Sequence, residues 1–346
     1  MARSLTKTSG SLHRSPVRNF LRVIGWILTV LILLVITGWE TLAVYYSNLP
    51  EPLRLPGAIG IALVSLGALL MVRPAGRSIL FFLSIFAIVV LGFLLIPPSN
   101  DRDWQPDVAR LSWADIDGDR ITVHNIRNFE YRSETDYTPA YYDKRFDLSK
   151  LEAVDVVAVY WMGPTIAHVF LSFGFTGGDH LAISIEARKK KGEGYSTLKG
   201  FFRQYELYYV VADERDVIRL RTNYRHDPPE DVYVYRARHG TLESGRRLFL
   251  EYMVKINNLK ASPEFYNTLT TNCTTNIWMN TRVNPDHLPF SWKILASGYV
   301  PEYLYESGRL DNSLPFAELT RRSHVNARAH AADTAADFSQ RIRTGK

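Results

Sequence analysis

A single cysteine, Cys273, lies in the run Tyr266-Asn267-Thr268-Leu269-Thr270-Thr271-Asn272-Cys273-Thr274-Thr275-Asn276. Threonine and asparagine favour helix N-caps, and Ile277, Trp278 and Met279 follow as an apolar stretch. The pattern predicts that Cys273 occupies the first turn of a helix, where free amides and the helix dipole lower a thiol pKa and can hold an oxyanion. Asn272 and the Cys273 amide would then support the developing charge. A buried structural cysteine fits the same spacing, so both readings stand.

A nucleophilic thiol needs a base, and His168 is the best placed of nine histidines. It opens the run HVFLSFGF, which is followed by Thr176-Gly177-Gly178-Asp179 and then HLAISIEAR. Alternation around the glycines predicts a β-hairpin. It groups Ile183 with Ile185 on one face and Ser184 with Glu186 on the other. A three-residue turn would set Glu186 opposite His168, where a carboxylate can orient an imidazole. An ordinary hydrogen-bonded sheet histidine and an ordinary salt-bridge glutamate are the alternatives. The chain has no CxxC, no HExxH, no Walker loop and no Rossmann glycine pattern, so no metal or cofactor is expected.

These residues need a scaffold, and composition divides the chain. Residues 20–97 are overwhelmingly apolar, and those beyond Asn100 have the mixed usage of a soluble protein. Three apolar runs, Phe20–Tyr46, Leu55–Val72 and Ser78–Leu95, are each long enough to cross a bilayer. The formal charge of +6 belongs to this anchor, since residues 1–97 carry eight basic and two acidic side chains. The remainder is neutral overall, so bulk charge gives no nucleic-acid signal. Basic residues cluster in the N-terminal tail and in Arg73–Arg77. Positive-inside bias therefore puts both in the cytoplasm and residues 98–346 outside, at the bacterial inner membrane.

The reading is α+β: a three-helix N-terminal membrane anchor followed by a mixed α/β extracytoplasmic domain. Its divisions are a basic tail over 1–19, the spans over 20–97, the outer domain over 98–322 and a mobile tail over 323–346. Strands are expected at Arg120–His124, Asp155–Tyr160, Ala167–Phe173, His180–Ala187, Tyr205–Val211, Val217–Arg221 and Asp231–Tyr235, and a helix at Leu242–Leu259. The Arg188–Gly194 segment is a charged loop that could meet anionic head groups.

The words IRNFEYRSETDY, IAHVFLSFGF, LAISIEARKKKGEGYS, FFRQYELYYVVADERDVIRLRTNYR and EFYNTLTTNCTTNI occur in order across about two hundred residues. In this the outer domain resembles the Lnb N-terminal periplasmic domain family. Its order of a strand histidine before an Asn-Cys pair is also similar to permuted papain-like enzymes of the lecithin:retinol acyltransferase type. The resemblance implies acyl chemistry with Cys273 as nucleophile, His168 as base and Glu186 as orienting group. Relatives of Lnb move an acyl chain within a lipoprotein's diacylglyceryl cysteine, but they are expected to carry their membrane helices after the soluble domain. The expected function is a Cys–His acyltransferase or acyl hydrolase acting on a membrane lipid or lipoprotein. A cell-wall amidase with the same dyad and a non-catalytic envelope assembly or binding domain are the alternatives.

Overall fold

The computed structural model describes residues 16–71, 74–238 and 242–344. Most of the basic tail expected over 1–19, and Arg73, lie outside the described residues. Two compact units divide between Pro97 and Pro98.

The first unit is three helices, α1 (Pro16–Tyr45), α2 (Glu51–Met71) and α3 (Ala75–Leu94), each long and apolar enough to span a membrane. Their outward side chains are almost all hydrocarbon, which only a lipid surround leaves unpenalised. Small and aromatic groups join the helices. Ser78 Oγ donates to the Ala68 carbonyl at 2.6 Å, and Trp39 meets Phe86 and Phe93 edge to face.

The second unit is built on a sheet whose strands are β1 (Trp113–Asp117), β2 (Arg120–Arg127), β3 (Glu130–Tyr131), β4 (Tyr137–Thr138), β5 (Tyr141–Asp147), β6 (Leu151–Tyr160), β7 (Ala167–Phe175), β8 (Asp179–Arg188), β9 (Glu206–Ala212) and β10 (Asp231–Arg236). The main sheet runs β1-β2-β9-β8-β7-β6-β10 with β5 on the free side of β2, and β3–β4 form a separate ribbon. The β7–β8 hairpin closes with Phe175 opposite Asp179, hence through the three residues Thr176-Gly177-Gly178. Both glycines hold positive φ (100° and 91°), which side chains resist.

Helices cover both faces. On one lie α5 (Leu242–Ala261) and α6 (Cys273–Thr281), packed on Val156, Val169, Leu171, Ile183 and Ile185. On the other lies α4 (Glu214–Arg219), packed with Phe170, Ala182 and Val210. Among the described residues five short helices follow α6: α7 (Trp292–Leu295), α8 (Val300–Glu306), α9 (Phe316–Ser323), α10 (Asn326–Ala331) and α11 (Phe338–Arg341).

Two expectations are corrected. The segment Val217–Arg221 is helical rather than a strand. Asp213 caps α4 by accepting from the Arg215 amide, and the buried Asp216 on the same helix pairs with Arg127 at 2.7 Å. Charge pairing and capping outweigh the β-branched composition of the segment. Residues 324–344 are not a mobile tail either, and 345–346 lie outside the described residues. Val325, Ala329, Phe338 and Ile342 are fully buried against the α4 face. Arg343 reaches the fully buried carboxylates of Asp155 and Glu214, at 2.8 Å from the first. An Ala- and Arg-rich composition conceals this, because the few apolar residues are spaced over two separate helical turns.

Candidate functional site

Cys273 is the first residue of α6 and Asn272 is its N-cap, with Oδ1 accepting from the Thr275 amide at 2.9 Å. The same oxygen receives the Thr274 and Thr275 hydroxyls, while Asn272 Nδ2 donates to the Thr268 carbonyl. Asn272 thus holds the helix start through Oδ1, while the Thr268 carbonyl takes one of the two hydrogens on its Nδ2. The backbone amides of Val169, Thr274 and Cys273 itself approach the sulfur and favour the thiolate. Burial works against them and wins, so the thiol pKa lies above its ordinary value. In this arrangement burial of the half-buried sulfur opposes the activation expected from the helix start.

His168 lies on β7 with its ring 5.8 Å from Phe170 on the same strand face. Its Nε2 is 2.7 Å from Ser184 Oγ, and that hydroxyl donates to Glu186 Oε1 at 2.8 Å. Because Ser184 spends its proton on Glu186, the network assigns the ring proton to Nε2 and leaves Nδ1 as the basic nitrogen. Glu186 is itself 3.7 Å from the ring and 3.0 Å from Arg221 Nη2. Burial pushes the Glu186 carboxyl up, but Arg221 and its other cationic neighbours outweigh burial and hold it well below the usual range. Burial, helped by Arg221 and Arg225, drives the imidazole down to about 3 against the pull of Glu186. His168 is accordingly neutral at physiological pH.

His168 and Glu186 are brought together, with Ser184 between them, but Cys273 is not part of that group. Side chains alternate along a strand. Val169 and Leu171 point to the face that α6 covers, whereas His168 and Phe170 point to the α4 face. Cys273 packs on the first of these faces. The sulfur rests near the Val169 amide, one peptide link from His168, yet the ring leaves the strand on the other side. The strand histidine and helix cysteine follow the expected order without forming a hydrogen-bonded dyad.

Ser184 and Arg221 are members of the polar group that sequence reasoning missed. Alternation already set Ser184 beside Glu186, but Arg221 was hidden by reading its segment as a strand. A reactivity measurement tests the arrangement. Iodoacetamide labelling of Cys273 is expected to be slow at pH 7, to rise only above about pH 8.5, and to be unchanged by His168→Ala. Acid-side reactivity that disappears in the variant would show that the imidazole does reach the sulfur.

Beside Cys273 on the α6 face is a cavity of about 250 Å³. Leu151, Val156, Leu171, Leu248, Ile277 and Leu304 contribute to a mainly apolar wall, and Arg238, Asp286 and Arg309 add charge. Thr274 and Val169 also line it, so the cavity reaches the residue after Cys273 on α6 and the residue after His168 on β7.

Residues 137–298 match the family model described as the Lnb N-terminal periplasmic domain. The matched span includes His168, Glu186, Asn272 and Cys273. No curated protein and no solved structure matches the chain.

Proposed function

We propose that this chain, which matches the Lnb N-terminal periplasmic domain over residues 137–298 and carries three helices apolar enough to anchor it in a membrane, receives the acyl chain of a lipid or lipid-linked molecule in the periplasm. The apolar cavity between the sheet and α5, α6 and α8 carries this reading. Its volume approaches the lower end of ordinary ligand pockets, about 300–1,000 Å³. A wall of aliphatic side chains favours an alkyl chain over a peptide or glycan, which would leave polar groups unpaired there. Arg238 and Arg309 also line it, but they are engaged by Asp311 at 3.0 Å and Asp286 at 2.9 Å, so the reading rests on the apolar wall alone.

The membrane is proposed to be the inner one, with the N-terminus cytoplasmic. A reporter fused after Lys346 should then be active only in the periplasmic sense, and one within Arg73–Arg77 only in the cytoplasmic sense. The reversed pattern would overturn the orientation.

A second reading is favoured by one observation: Thr274 and Val169, the neighbours of Cys273 and His168, both line the cavity. An acyl carbonyl at the end of a bound chain would lie close to the thiol, which is the geometry acyl transfer or hydrolysis through a thioester requires. With His168 on the other face, that chemistry needs the imidazole to change sides. Glu186 and Ser184 would serve as positioning residues for it.

Mass spectrometry of the protein purified from membranes in mild detergent separates the readings. Reversible uptake predicts one lipid mass that survives gentle ionisation, leaves on denaturation, and persists in Cys273→Ala. An adduct that survives denaturation and vanishes in Cys273→Ala would establish the thioester reading instead. Absence of any lipid from both proteins would remove the proposal.

A further inference from the structure

We propose that the outer domain seats itself on the bilayer through an apolar face made by Tyr195, Leu198, Phe201 and Leu269, with the lysines of the Arg188–Gly194 loop beside it contacting anionic head groups. These four side chains are 52%, 45%, 37% and 50% exposed, which is unusual company for large apolar groups on two adjoining loops. The loops are joined directly: Thr268 Oγ1 donates to the Thr197 carbonyl at 2.8 Å and its amide donates to Gly200. Tyr195 is held by its hydroxyl, 3.3 Å from that of Tyr266, and by stacking on Tyr205, so a half-exposed aromatic ring is fixed at this face.

The occupant follows from the tether. The last membrane helix ends at Leu94, and the Ser99 amide is already bonded to Glu206 Oε1 at 3.1 Å. Five residues span at most about 18 Å. Glu206 pairs with Phe265, and the Tyr266 amide bonds to the Tyr205 carbonyl, so the point of attachment belongs to the same loops that carry the apolar face. The basic run is fixed there as well. Trp104 bridges Lys190, whose ammonium pairs with Glu193 at 3.1 Å, and Lys191 pairs with Asp103 at 2.7 Å, which leaves Lys189 to give the run its net positive charge a few residues past the tether. A short leash, exposed aromatic and aliphatic groups, and cations at one end of the domain are together the chemistry of a lipid–water interface. This inference rests on the membrane anchor and is independent of what fills the cavity.

The test uses the full chain in nanodiscs containing phosphatidylglycerol, with Cys273→Ala removing the native thiol. An environment-sensitive fluorophore is placed at Leu198→Cys or Leu269→Cys. Comparison labels go at Thr135→Cys, on the exposed β3–β4 ribbon, and at Trp292→Cys, on a separate exposed apolar patch. Labels at 198 and 269 are expected to be blue-shifted and quenched several-fold more by nitroxide-bearing lipid than the label at 135. Equal quenching at 198 and 135, or quenching at 292 without quenching at 198, would overturn the seat. Replacing phosphatidylglycerol by a zwitterionic lipid is expected to weaken the quenching, and no change would overturn the role of the lysines. Cavity occupancy is read in detergent without a bilayer, so failure of either idea leaves the other measurable.

Discussion

Arg343→Leu is expected to destabilise the outer domain by about 3–5 kcal/mol, the usual consequence of removing one partner from a buried ion pair. Asp155 and Glu214 are both fully buried, and Arg343 bonds to each through two nitrogens. Asp155 would keep Arg236 at 2.6 Å, whereas Glu214 would keep only the Ser172 hydroxyl. The larger share of the loss therefore belongs to Glu214. Denaturant unfolding of the detergent-solubilised protein should show it as a lower midpoint with little change in slope. The pH dependence gives a second check. Burial pushes the Glu214 carboxyl up, but Arg343 outweighs it and brings the folded-state pKa down to about 2 from the ordinary 4.5. A depressed carboxylate contributes stability that is complete above the unfolded value and is lost as pH falls toward the folded one. Wild type should thus lose stability between about pH 4.5 and pH 2. Arg343→Leu should lack that component. A midpoint unaltered by the substitution would mean that the segment beyond Ser323 does not hold the domain together.

The second large effect concerns the cavity. Ile277 is on α6 and lines it, and Ile277→Trp directs an indole into the space. Excluding about four methylenes at roughly 0.8 kcal/mol each removes about 3 kcal/mol of binding, or roughly a hundredfold or more in affinity. Bound lipid should disappear from the mass spectrum while Ile277→Val retains it. Overpacking carries its own penalty of about 1–3 kcal/mol, so the unfolding midpoint of the tryptophan variant must be measured alongside. A folded Ile277→Trp protein that still carries its lipid would place the ligand elsewhere.

The three spans, the β7–β8 hairpin and the helix beginning at Cys273 were legible because each depends on local pattern. Apolar length marks a span, alternation about paired glycines marks a hairpin, and Asn272 before an apolar run marks a helix start. Alternation along the run HVFLSFGF sets His168, Phe170 and Ser172 on one face. It could not say which helix would cover that face, because Phe170 makes the His168 side as suitable for burial as the Val169 side. The separation of His168 from Cys273 is for that reason a tertiary fact. The α4 segment was missed for a related reason: its charged residues are satisfied by partners far away in sequence, Arg127 for Asp216 and Arg343 for Glu214. Composition reads such residues as solvated, and only the folded chain shows them paired.

The ladder between β7 and β8 joins only Leu171–Phe175 to Asp179–Ile183, although β7 begins at Ala167 and β8 continues to Arg188. Past Leu171, β7 stays with β6 and β8 stays with β9, while the His168–Ser184–Glu186 chain crosses the opening by side chains alone. Mechanically this makes the sheet two plates welded along half a seam. Twisting of one plate against the other would concentrate at the open half, where amides such as Val169 should exchange with solvent deuterium sooner than those of the welded half. Cys273 sits at that unwelded edge, its sulfur beside the Val169 amide, where a serine hydroxyl rather than backbone hydrogen bonds joins the two strands.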